Sequence, residues 1–467
     1  MLKSIFTNSS GILFSRILGF FRDMLTASTL GVNIYSDIFF IAFQLPNLFR
    51  RIFGEGAFSQ AFLPSFTRVK KRVLFSASIF YKLISAIIIL TVLVNIFSYE
   101  VTSIIGAGFS DEVIKEAEIF VQINFLYLIL IFIVTFLSAL LHYREHFITT
   151  AFSTALLNIS IIIALTLSQN LTQKEIIYFM SYGVVIGGIL QVIAHIIAIN
   201  FNSMNKILYG GLLKFPRFKE VKKSSNKFFN KFFLAIWSGG TAQISSFLDV
   251  LIASFLITGS ISYLYFANRV FQFPLAIFAI ATTIAIFPKV SKFIKLKQEQ
   301  KADKIFKISF WILISLLSSA TIVGTIFSEE IVKLLFERGN FLENDRIETA
   351  KVLFFYLLGL TVFGISKLFS LWLYAHEKMV ETAKISTYTL IIKIFFALLL
   401  VDVFGVSGLA LSTSISSIFL LIFTLQEFGW DKFFQIILDK FAIYFIFGIT
   451  FIISVSLYLK TLINYLN

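Results

Sequence analysis

Uninterrupted apolar runs of roughly 20 residues recur along the whole chain, and they decide what it can fold into. Each is long enough to cross the ~30 Å hydrocarbon core of a bilayer as a helix. In lipid, only α-helices and closed β-barrels satisfy their own backbone polar groups. The runs are continuous rather than alternating, so helices are expected. Composition agrees: 58% of residues are hydrophobic and 14% charged, where soluble domains carry about 25% charge. There is no cysteine, which excludes disulfides, iron–sulfur clusters and thiol catalysis. The four histidines, His142, His146, His195 and His376, form no metal-binding H-E-x-x-H pattern. No metal, cofactor or catalytic residue is expected.

Spans are expected near 4–29, 34–66, 78–107, 118–142, 147–168, 174–201, 229–258, 261–290, 305–327, 347–375, 380–403, 406–426 and 437–463. The first, although N-terminal, is broken by Arg16, Arg22 and Asp23, so it reads as a retained span and not a cleavable signal. If the N-terminus is cytoplasmic, the basic loops fall on one side. These hold Arg68 to Arg72, the lysines between Lys206 and Lys231, and those between Lys289 and Lys304. Acidic loops, with Asp111 and Glu112 and later Glu329, Glu330 and Glu337, fall on the other. Basic loops mark the cytoplasm. The net charge of +14 is thereby assigned to membrane topology, and no nucleic-acid partner is expected.

The chain reads as a duplication. Ala42-Phe43-Gln44-Leu45-Pro46 in span two returns as Val270-Phe271-Gln272-Phe273-Pro274 in span eight. The turn Arg144-Glu145-His146-Phe147 before span five is matched by Ala375-His376-Glu377-Lys378-Met379 before span eleven. Both pairs are offset by roughly 230 residues. The expected division is a six-helix lobe over 1–202, a basic cytoplasmic linker over 203–228, a second six-helix lobe over 229–428, and one extra helix within 429–467. Six spans per half make the repeats parallel, related by an axis along the membrane normal.

Charges at bilayer depth are the functional signal. Span one carries Arg16, Arg22 and Asp23; span two carries Asp37, Arg50, Arg51 and Glu55; span eight carries Arg269. Each costs at least ~2.5 kcal/mol at the centre of a bilayer. Arginines near span ends can snorkel, pair with acids such as Asp37 or Glu55, or bind an anion in a water-filled cavity. Guanidinium is the best phosphate ligand among side chains, because its planar fork donates bidentate bonds and stays charged. Arg16, Arg22, Arg50 and Arg269 are the candidate ligands. Asp23 and Asp37 are read as positioning residues, and Arg51, about 100° round the helix from Arg50, as structural. Pro46 removes a helix hydrogen bond, and Gly54 and Gly56 around Glu55 weaken the helix, so span two is expected to bend. Asp249 in span seven and Lys393 in span eleven are read as an ion pair or a coupling site.

Three stretches carry a resemblance: SRILGFFRD at 15–23, SDIFFIAFQLPNLFRRIFGEGAFSQAFLP at 36–64, and ASFLITGSISYLYFANRVFQFP at 253–274. They closely resemble the MurJ (MviN) family of lipid II flippases, in the multidrug/oligosaccharidyl-lipid/polysaccharide (MOP) exporter superfamily. The resemblance implies an all-α polytopic membrane protein with two pseudo-symmetric six-helix lobes around a central cationic cavity. It implies a transporter, not an enzyme, working by alternating access in peptidoglycan biosynthesis at the bacterial inner membrane. The partners would be lipid II and membrane lipids, with the protein acting as a monomer. The family's essential arginines fall on Arg16, Arg22, Arg50 and Arg269, and its span-two acid on Asp37. This chain has Asn268 where an acid often precedes the span-eight arginine. It also has room for one span after 437, where the family usually ends with two. Alternatives are a flippase for another polyprenyl-diphosphate oligosaccharide, such as an O-antigen unit, and a polytopic polyprenyl-phosphate glycosyltransferase.

Overall fold

The structure, a computed structural model, describes residues 2–52, 58–211 and 214–466. About 88% of the chain is helical, with no strand among the described residues. The helices are α1 (Leu2–Leu30), α2 (Ile34–Ile52), α3 (Phe58–Arg68), α4 (Arg72–Ile96), α5 (Ser98–Ile105), α6 (Asp111–Phe125), α7 (Tyr127–Tyr143), α8 (Ile148–Leu167), α9 (Gln173–Phe201) and α10 (Asn205–Tyr209). A 3-10 helix, Phe215–Val221, leads into α11 (Lys222–Ala253) and α12 (Ser260–Pro274). After a π-helical turn, Leu275–Ile280, come α13 (Ala281–Lys295), α14 (Glu299–Ile326), α15 (Ser328–Phe336), α16 (Glu343–Leu358) and α17 (Leu360–Ala375). The chain ends with α18 (Met379–Phe404), α19 (Val406–Phe428), α20 (Trp430–Ile437) and α21 (Phe441–Leu466).

Every expected span falls on a helix or on consecutive helices. Among the described residues, nine helical segments are long and apolar enough to cross a membrane, and a tenth forms if α16 and α17 count as one bent span. The protein is therefore a multi-pass membrane protein. The segments below that threshold are α1, the α2–α3 pair and α11. Their apolar character is diluted by Arg16, Arg22 and Asp23, by Asp37 and Arg50, and by the lysines and small polar residues of α11. The least hydrophobic spans are thus largely those that carry the candidate site.

The chain forms two compact units, Met1–Ile261 and Ser262–Asn467. In the first, α8 packs along both α1 and α9, and α2 lies on α6. The approach of α8 to α9 is close. A Cβ on Gly187 would lie 2.9 Å from the Leu157 Cα, so only glycine fits there. All of α11 also belongs to this unit. Phe228 and Phe232 stack on each other and meet Phe58 edge-on, while Phe58 stacks on Phe62. All four rings are fully buried, and such rings are the largest apolar contributors to a core.

In the second unit α19 is the hub, packed on α16, α17 and α18. The 41° bend between α16 and α17 sits at Gly359. A Cβ there would come within 2.6 Å of the Ser414 Oγ. Ser414, on α19, donates to the Phe355 carbonyl at 2.5 Å, one of the groups orphaned when the helix breaks. α21 runs along α14. It is held by Lys307–Asp439 at one end and Lys460–Glu330 at the other, and the Trp311 ring contacts Phe441 and Phe445 between them.

The two matched turns have the same backbone. Glu145 and Glu377 both adopt left-handed conformations, at φ 59° and 62°. In each the following amide bonds back five residues: His146 N–H to the Leu141 carbonyl and Lys378 N–H to the Leu373 carbonyl, both 3.0 Å. This is the Schellman helix stop. Among the described residues, Ser203 and Lys297 form the other two non-glycine examples, at φ 54° and 56°.

Candidate functional site

α1 meets α8 along a polar seam that explains how arginine is tolerated there. Ser15 bonds Thr154 at 2.5 Å, and the Asn158 amide donates to the Ser15 carbonyl at 3.0 Å. The Asn158 Oδ1 then accepts from Arg22 Nη1 at 3.0 Å. Arg22 also donates through Nε and Nη2 to Asp23 Oδ1, at 3.0 and 2.6 Å. Arg22 and Asp23 are 7% and 1% exposed. A guanidinium so fully engaged by protein is a fixed charge, built into the wall of the unit. Asn158, which sequence reasoning missed, is the residue from a distant span that fixes it.

Arg16 is different. It lies on the same helix, is exposed, and among the described residues makes no ion pair or hydrogen bond. Arg50, near the end of α2, is half-buried, and its one hydrogen bond among the described residues runs from Nε to Asn47 Oδ1 at 3.0 Å. That contact orients the fork one turn along its own helix and leaves both terminal nitrogens for a ligand.

Asp37 accepts the Gly259 backbone N–H at 2.7 Å. The carboxylate, 1% exposed, thus holds the turn between α11 and α12, a backbone partner that side-chain pattern could not reveal. Pro46 sits inside α2, which continues to Ile52 before α3 begins at Phe58. Gly54, Glu55 and Gly56 lie outside the described residues.

In the second unit, Arg269 is half-buried on α12. Its Nη2 donates to the Tyr265 hydroxyl at 3.0 Å, and its guanidinium lies 5.1 Å from the centroid of that ring. Tyr265, one turn earlier, supplies restraint at a position where Asn268 offers no acid. Asn268 is occupied with Gln272. Lys393 is buried on α18 of this unit; Asp249, in the first unit, is half-buried on α11.

A polytopic helical protein with unsaturated arginines in its most polar spans matches one family along nearly its whole length. The profile of the lipid II flippase MurJ family covers residues 26–465. The chain belongs to the MurJ family. A probable lipid II flippase MurJ of Helicobacter pylori is 43% identical over 420 residues, 88% of this chain and 91% of the relative. A probable MurJ of Aquifex aeolicus is 30% identical, covering 90% of this chain and 82% of the relative. Among solved structures, a lipid II flippase MurJ in an inward closed conformation superposes with a TM-score of 0.79 at 26% identity, covering 98% of both chains. An inward-facing multidrug transporter of the MOP superfamily superposes at 0.68 with 11% identity, over 90% of this chain and 94% of its own; that likeness is one of fold alone. As a MurJ family member the protein is a transporter rather than an enzyme.

Proposed function

We propose that this protein moves lipid II, the undecaprenyl-diphosphate-linked disaccharide-pentapeptide of peptidoglycan synthesis, from the cytoplasmic to the outer leaflet of the bacterial inner membrane. The observation that carries this reading is the 43% identity to a probable MurJ across 88% of the chain; the exposed Arg16 and the half-buried Arg50 and Arg269, on spans of the membrane, support it. Arg16, Arg50 and Arg269 bind the diphosphate, whose charge matches guanidinium forks. Arg22 contributes positive potential, held by Asp23 and Asn158. The sugar–peptide head travels in water while the polyprenyl tail stays in lipid, and access alternates between the two sides.

The N-terminus is cytoplasmic in this reading and the protein acts as a monomer. The lysine-rich segment from Lys206 to Lys231 supports that orientation. Because the chain has no cysteine, single introduced cysteines at Lys219 and Glu329 report sidedness directly. Lys219→Cys should label only from the cytoplasm and Glu329→Cys only from outside.

Complementation of cells depleted of their lipid II flippase tests the function. The wild-type chain should restore growth. Arg16→Ala, Arg50→Ala and Arg269→Ala should each fail at normal membrane levels. Rescue by all three would remove the arginine ligands from the mechanism, and failure of the wild type would remove the function.

A further inference from the structure

α17 has one packed face and one open face. Leu360, Gly364, Leu368 and Leu371 are buried against the rest of the second unit. Phe363, Lys367, Ser370 and Tyr374 follow at helical spacing on the other side, and Lys367 and Tyr374 are exposed. The Lys367 Nζ stands 4.7 Å from the Phe363 ring centroid. Among the described residues it makes no hydrogen bond or ion pair.

A lysine there needs an explanation. It lies eight residues before the end of α17 at Ala375, about 12 Å of helix rise. That is further than its four-carbon stem reaches, so snorkelling to the end of the helix does not account for it. A lysine facing hydrocarbon at that depth is costly, and Ser370, on the same side one turn further on, is polar and only partly buried. An open, wet side within the membrane removes the cost and leaves an ammonium available to an anion.

Its level relative to Arg269 says which anion. Phe271, two residues after Arg269, stacks on Tyr356 and reaches Phe363. Further along, a Cβ on Gly364 would lie 3.4 Å from the Ala279 Cβ. The chain through α12 and the π turn therefore runs parallel to α16–α17, and Lys367 lies about ten residues beyond Arg269 in that register, roughly 15 Å along the axis. One diphosphate, a few ångströms long, cannot touch both cations. A pentapeptide can extend to about 17 Å and carries at least a terminal carboxylate.

We infer that Lys367 binds a carboxylate of the substrate's peptide while Arg269 holds its diphosphate, so that the second unit measures both ends of the headgroup. The inference rests on lipid II being the substrate. The test is the affinity of the purified full chain in nanodiscs for two probes, lipid II and undecaprenyl diphosphate, which has no peptide. Lys367→Met should weaken lipid II binding about tenfold and leave undecaprenyl diphosphate unchanged, with an unaltered thermal midpoint; Lys367→Arg should keep most of the lipid II affinity. Arg269→Ala should weaken both probes. Equal loss of both probes in Lys367→Met, or loss of neither, overturns the peptide assignment. Failure of the wild type to bind lipid II at all would instead overturn the reading of the substrate.

Discussion

The Asp37 carboxylate accepts the backbone N–H of Gly259 at 2.7 Å, across 222 residues of sequence. Both groups are buried, so the bond ties the start of α2 to the turn between α11 and α12. Asp37→Asn keeps an acceptor oxygen in place. Asp37→Ala leaves a buried donor unsatisfied, at about 1–3 kcal/mol. Hydrogen exchange at the Gly259 amide should therefore speed up markedly in Asp37→Ala and little in Asp37→Asn. Equal protection in both variants would show that the carboxylate does not hold this turn.

Arg16 and Arg22 share a helix but should fail in different ways when removed. Arg22→Ala strips the guanidinium from Asp23, which is 1% exposed, and breaks the link to Asn158. Removing one partner of a buried pair costs about 3–5 kcal/mol. Arg16 is exposed and makes no ion pair among the described residues, so Arg16→Ala should change stability by less than about 0.5 kcal/mol. Thermal unfolding in detergent separates the two: a large drop in midpoint for Arg22→Ala, none for Arg16→Ala. A matching drop in both would mean that Arg16 is structural.

Span positions were legible because hydrocarbon thickness sets a length and composition sets the polarity. Thirteen expected segments all fall on helices, including α1 and α11, which charge makes marginal. The arginines were legible for the same reason, as charges out of place. What each arginine touches was not. Asn158 and Tyr265 are ordinary polar residues in apolar spans, and their roles come from contacts that only folding creates: one with a helix 136 residues away, one along its own helix turn. The Asp37–Gly259 bond was hidden for a stronger reason, since its donor is backbone. Arg22 shows the limit most clearly. In sequence it is one of four equivalent arginines, whereas in the structure its hydrogen-bonding fork is engaged by Asp23 and Asn158.

Glu377 should be replaceable with a gain in stability. It holds a left-handed conformation at φ 62° at the end of α17, a region that costs an L-residue roughly 1–2 kcal/mol and glycine nothing. Its side chain is exposed. Glu377→Gly should raise unfolding stability by about 1 kcal/mol, and Glu377→Val, β-branched, should lower it. Glu145→Gly should behave in the same way at the matched turn. A loss of stability in both glycine variants would show that these side chains do more than occupy a helix stop.

The 3-10 helix after the first six spans is fastened by Glu220, which accepts from Lys71 Nζ at 2.8 Å and Arg217 Nε at 2.9 Å. Those two cations hold its carboxyl down, first Arg217 and then Lys71, from 4.5 to about 2. A depressed carboxyl contributes its stabilisation fully above the unfolded value and loses it as pH falls through the folded one. The fastening should thus persist at pH 5 and weaken between about pH 4.5 and 2. A nitroxide on Lys219→Cys, the chain's single cysteine, reads this directly, because its mobility does not itself titrate. Mobility should rise across that interval in the wild-type background and be high at every pH when Glu220→Gln is added. Since the groups are exposed, high salt should loosen the segment at neutral pH as well. Mobility that stays flat down to pH 2 would mean that packing of Val221, 3% exposed, and not charge, holds this segment in place.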